Sequence, residues 1–182
     1  MTLDRRRLES FLRPLYQDLD GASRFDEIER VAAIARRLLT PSNDDDLRHF
    51  ELLLLFHGLG RWLEKVGNLS RAVLTIGLSE NELRRIATSI RNLANPSTDA
   101  ERALAAALLI DSAGVRGLAE RLSRARREGS SVLDVVRNSL ADFTEPEWLP
   151  EAARRWLLQR RDARREMCRR ILGELDGDDL SR

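Results

Sequence analysis

Apolar residues return at every third and fourth position along this chain, and no stretch alternates over the length of a strand. That spacing loads one face of a helix and cannot load one face of a sheet, so it predicts an all-α fold. Only five prolines and ten glycines interrupt 182 residues, which leaves room for long helices. With 42% hydrophobic and 34% charged residues, the chain is rich enough in apolar side chains to fold, and its length suits a single domain with a buried core.

The pattern predicts a first helix from Thr2 to about Leu19, with Leu8, Phe11, Leu12 and Leu15 on one side and Asp20-Gly21 as its stop. A second helix follows Ser23, with Ile28, Val31, Ile34, Ala35 and Leu38 as its stripe. The third, behind the acidic start Asp44-Asp45-Asp46, turns Leu47, Phe50, Leu53, Leu54 and His57 inward and breaks at Gly58 and Gly60. A short helix with Trp62 and Val66 and one from Asn68 to Ile76 come next. Ser79 to Glu82 and Thr98 to Glu101 read as capping boxes, the second opening the apolar run "RALAAALLI". A helix from Val115 to Glu128 and one capped by Ser130 or Ser131 lead to "FTEPEW". There Thr144 is the expected cap of a closing helix of about 28 residues, with Trp148, Ala152, Trp156, Ala163, Met167 and Ile171 as its seam. The expected domain covers 1–175, with a polar, disordered tail over 176–182.

Net charge is +1, so the whole molecule has no field that would draw it to nucleic acid or membrane. Arginine pairs from Arg154-Arg155 to Arg169-Arg170 suggest a nucleic-acid surface, but Glu151, Asp162, Glu166 and Glu174 at helical spacing favour a solvated face. The lone Cys168 forms no internal disulfide, and with no basic-then-apolar leader or membrane-length apolar run the expectation is a cytoplasmic protein. Trp148 and Trp156 read as core, and Cys168 has no histidine near it in sequence to make it a nucleophile.

Four pieces in order carry a resemblance: Arg30-Val31, "LLLLFHG", "ALLIDSAGV" and the closing segment "FTEPEWLPEAARRWLLQRRDARREMCRRILGEL". Together they resemble the HD-domain superfamily of metal-dependent phosphohydrolases, over roughly Tyr16 to Leu175. The resemblance implies a single-domain orthogonal helical bundle with a long C-terminal helix. It also implies a divalent metal held by a first histidine, a His-Asp pair and a distant aspartate. Such a metal lowers the pKa of a bound water and polarises a phosphoryl oxygen. Carried over by position, the first histidine is Glu27, the paired histidine is His57, its aspartate is Gly58, and the distant aspartate is Asp111. A glycine supplies no carboxylate.

Two readings follow. In one, Glu27, His57 and Asp111 hold Mn, Zn, Fe or Mg in an altered three-ligand site of a phosphohydrolase, and Arg30 contacts phosphate. In the other, which the missing carboxylate favours, no cofactor is expected. His57 is then a hydrogen-bonded core histidine, Asp111 caps the following helix, and Glu27 is an early-turn acid. The chain is then a binding or regulatory module for a nucleotide, a phosphorylated small molecule or a protein partner, with nucleic acid as a less favoured third choice. His49, about 80° round the helix from His57, is expected at the surface.

Overall fold

Helical periodicity becomes helices throughout. The computed structural model describes residues 4–17, 24–39, 41, 43–65, 67–141 and 145–178, and among these every regular element is a helix. The expected stop at Asp20-Gly21, the caps Ser23 and Thr144, Val66 and the last residues of the tail lie outside them. The chain divides into two compact units, Met1–Ala107 and Leu108–Arg182.

The first unit holds α1 (Arg5–Gln17), α2 (Arg24–Leu38), α3 (Asp44–Phe56), a 3-10 turn (His57–Leu59), α4 (Gly60–Leu63), α5 (Asn68–Ile76), α6 (Glu80–Asn92) and the start of α7 (Asp99–Ala113). Its core gathers Leu8, Leu12, Tyr16, Ile28, Leu52, Phe56, Leu59 and Leu83, each nearly or wholly removed from water. α3 packs on both α2 and α6, and this explains why Leu52 to Phe56 are buried without a gap. Leu47, expected inward, is 44% exposed, because the core closes over the C-terminal half of α3 only. Arg36 on α2 donates to both oxygens of Glu51 on α3 at 2.7 and 2.6 Å, and Arg48 on α3 reaches Glu82 on α6 at 2.8 Å. Such bidentate or cross-helix pairs fix helix orientation more than they add stability.

Local signals start the helices where expected. Ser79 caps α6 through a complete box: its Oγ accepts the Glu82 N–H at 3.2 Å, and Glu82 accepts the Ser79 N–H at 2.8 Å. Thr98 and Glu101 repeat the arrangement at α7. Asn43 caps α3, accepting the Asp46 N–H at 2.9 Å, so the acidic run is a helix start.

The second unit contains the end of α7, α8 (Val115–Glu128), α9 (Val132–Asn138) and α10 (Glu151–Asp178). The last three pack on one another, and Leu118, Val136 and Cys168 meet in a small core. α8 enters close to the end of α7, since a Cβ on Gly117 would lie 2.0 Å from the Ser112 carbonyl oxygen. Its N-cap residue is Gly114, and Asp111 lies three residues earlier, within α7. The closing helix has the expected 28 residues but begins at Glu151, because Pro146 starts a turn closed by the Leu149 N–H. It continues to Asp178, through residues assigned to the tail. Its inward face is Ala153, Leu157, Arg164 and Cys168, one position on from the expected seam, and Met167 is 38% exposed. Among the described residues no helix is long and apolar enough to cross a membrane.

Candidate functional site

His57 follows directly on α3, and its half-buried ring turns back on the helix that delivers it. Its Nδ1 lies 2.7 Å from the Leu54 carbonyl oxygen. A carbonyl only accepts, so Nδ1 carries the proton and the neutral ring keeps its lone pair on Nε2. Burial holds the pKa below the ordinary histidine value, against the pull of that hydrogen bond.

The next residue decides what surrounds this histidine. A Cβ on Gly58 would lie 2.7 Å from Tyr16 Cε1, closer than carbon atoms approach, and 3.4 Å from the Tyr16 hydroxyl. The tyrosine has little freedom to withdraw. It is 2% exposed, donates its hydroxyl to the Leu55 carbonyl at 2.7 Å, and sets its ring edge-on to Phe25 at 6.2 Å. Tyr16 thus fills the space into which a side chain at position 58 would grow, and the surroundings of His57 do not fit the carboxylate-bridged metal of the HD-domain pattern.

Glu27 lies half-buried in the first turn of α2, where an acid suits the helix dipole. Arg30 donates to the backbone carbonyl of Asp26 at 3.4 Å. Glu27 and His57 belong to the first unit, whereas Asp111, half-buried in the last turn of α7, belongs to the second. Among the described residues no three His, Cys, Asp or Glu side chains gather closely enough to hold a metal ion.

A second arrangement in the first unit was not legible as a site. His49, expected at the surface, is half-buried, with Nε2 3.3 Å from Ser89 Oγ on α6. Ser89 in turn bonds Glu101, which is only 2% exposed. Glu101 also accepts from the Ser97 N–H at 2.9 Å, the Ser97 hydroxyl at 3.0 Å, the Thr98 N–H at 3.1 Å and Asn92 Nδ2 at 3.3 Å. Burial pushes the Glu101 carboxyl up, but these donors outweigh it and hold the pKa below the ordinary carboxylate value. With the serine proton committed to the carboxylate, its lone pair accepts from His49 Nε2–H. Burial, and then the charge of Arg85, lower the pKa of His49. The order of this chain differs from a nucleophilic triad: the carboxylate, not the histidine, accepts the serine proton, and His49 donates to the serine instead of acting as its base.

The network floors a cavity of about 770 Å³ whose walls include His49, Asn81, Arg84, Arg85, Thr88 and Asp99. One signal for it was present in sequence. Ser89 stands three residues after Ile86, on the apolar face of α6, and His49 stands four before Leu53. Polar residues inside an apolar stripe need buried partners.

Both histidines therefore resist protonation in the fold. Stability from this source is fully present above pH 6.5, the ordinary value, and is lost as pH falls through 6.5 toward the lower folded values, because the unfolded chain takes up protons first. Urea midpoints should fall between pH 7.5 and 5 with a slope of at most about 1.4 kcal/mol per pH unit for each ring. His49→Gln with His57→Gln should flatten that slope, and an unchanged slope would mean that other groups carry it.

No family model, curated protein or solved structure matches this chain.

Proposed function

We propose that the chain is a divergent HD-domain protein that has given up metal-dependent phosphohydrolysis and works as a ligand-binding module. The carrying observation is Tyr16 beside Gly58: the family's carboxylate is missing, and a buried, hydrogen-bonded ring stands where its side chain would begin. A change of residue alone leaves room for water or a substitute ligand; a filled space removes it.

The ligand seat in this reading is the cavity that His49 and Ser89 line. Its volume is within the range of small-molecule pockets. Arg84 and Arg85 on one wall and Asn81 and Thr88 on the same helix offer charge and hydrogen bonds to a nucleotide or a phosphorylated small molecule. Arg84 already pairs with Glu80, so Arg85 is the stronger anion contact.

The test is thermal. Under this proposal Mn²⁺, Zn²⁺ and Mg²⁺ leave the melting temperature unchanged, and p-nitrophenyl phosphate is not hydrolysed in their presence. A metal-specific rise that vanishes in His57→Ala would overturn it. One observation favours a second reading, a phosphohydrolase with an altered site: the lone pair of neutral His57 is on Nε2, free of the Leu54 bond, as a metal ligand requires. That reading keeps His57 as a ligand, and it predicts hydrolysis that a chelator abolishes.

A further inference from the structure

The second unit buries arginine where its sequence would put an apolar side chain. Arg164 is on the inward face of α10, seven residues after Leu157 and four before Cys168, and is only 7% exposed. Arg121 on α8 comes beside it. Among the described residues, Arg164 Nε and Arg121 Nη2 are buried without a hydrogen-bond partner. Arg121 is itself oriented, since its Nη1 donates to the Ser112 carbonyl at 3.3 Å.

Both side chains line a cavity of about 510 Å³, together with Ser112, Asn138, Leu109 and Val135, and no acidic residue is among its described walls. Burial, and then the like charge of Arg121, lower the pKa of Arg164; Cys168 acts the other way, and Arg165 and Arg161 add further like charge. Burial in turn raises the Cys168 thiol, so it supplies no standing anion. Two guanidinium groups left like this are costly. Each buried, unmet donor on a charged group carries an uncompensated desolvation penalty, and the two charges repel. An oxyanion between them answers all three penalties at once, because planar N–H forks match the oxygens of phosphate.

We propose that this cavity is an anion-binding site for a phosphate group, with Arg121 and Arg164 as its paired cationic ligands and Ser112 and Asn138 as neutral donors. Leu109 and Val135 give the remaining volume an apolar wall, so a small organic phosphate with a compact apolar body fits better than the free ion. The site is separate from the cavity of the first unit and does not depend on the proposal made for it.

Calorimetry and melting curves on the full chain test this, with inorganic phosphate and phenyl phosphate as probes and chloride at matched ionic strength as control. Saturable binding of both probes is expected, phenyl phosphate the tighter. Arg164→Met and Arg121→Met should each weaken it about tenfold or more, the loss of a charge-assisted hydrogen bond. Without phosphate, Arg164→Met should melt no lower than the parent, because it removes an unpaired buried charge; a purely structural arginine would show the opposite. Arg71→Met, at an exposed arginine that lines neither cavity, should leave phosphate binding intact. Absence of saturable binding, or binding kept at full strength in both Arg164→Met and Arg121→Met, would overturn the proposal.

Discussion

Gly58→Asp, which places a carboxylate at the position where the HD-domain pattern has one, should destabilise the protein by about 1–3 kcal/mol in urea unfolding, the range for forcing extra atoms into a packed site. The new Cβ would begin 2.7 Å from Tyr16 Cε1. The ring can retreat only by breaking its hydrogen bond to the Leu55 carbonyl or disturbing its edge-on contact with Phe25. Gly58→Ala separates crowding from charge. It should lose less, since alanine recovers up to about 1 kcal/mol of helix propensity over glycine. Pairing Gly58→Asp with Tyr16→Leu should cost less than the sum of the two single changes by about 1 kcal/mol, the coupling expected of residues in contact. Strict additivity, or a Gly58→Asp protein as stable as its parent, would mean that Tyr16 does not occupy the space.

That dependence on Tyr16 marks the limit of what one sequence discloses. The absent carboxylate is visible at Gly58, but the ring that fills its place lies 42 residues earlier, and nothing local connects the two. Features governed by neighbours were legible. The bounds of α5 and α8, the Ser79 box and the Thr98 box all follow from hydrogen bonds or spacings within a few residues. The closing helix shows where the method fails. Reading apolar side chains as inward gave Ala152, Trp156, Ala163 and Met167, whereas Ala153, Leu157, Arg164 and Cys168 are buried. The difference is a rotation of about 100°, one residue, and it comes from assuming that no arginine faces inward. His49 was assigned to the surface because it stands about 80° round the helix from His57. Each of these misreadings set a polar group outside that the fold encloses, and a polar group kept inside needs a partner. For His49 the chain itself supplies one.

That partner chain ends at Glu101, and Glu101→Ala should cost about 3–5 kcal/mol. The carboxylate is 2% exposed and receives the N–H groups of Ser97 and Thr98, the hydroxyls of Ser97 and Ser89, and Asn92 Nδ2. Alanine leaves those donors facing a hole, and it removes half of the box that starts α7. Glu101→Gln is the informative comparison. Its amide oxygen can take the place of the oxygen shared by Ser97 and Thr98, and Asn92 can turn its own amide to accept from the new NH₂. Most of the loss should therefore be recovered. Acid should separate the two variants further. Because the folded pKa of Glu101 lies below 4.5, the carboxylate adds stability that is fully present above 4.5 and is lost as pH falls through the lower folded value. The parent should show this second, more acidic decline below the histidine range, and in Glu101→Gln it should be shallower, with Glu82 keeping its own share. A parent and a Glu101→Ala protein with equal urea midpoints would mean that water already satisfies these donors. The cavity above them would then have no fixed floor on which to orient a ligand.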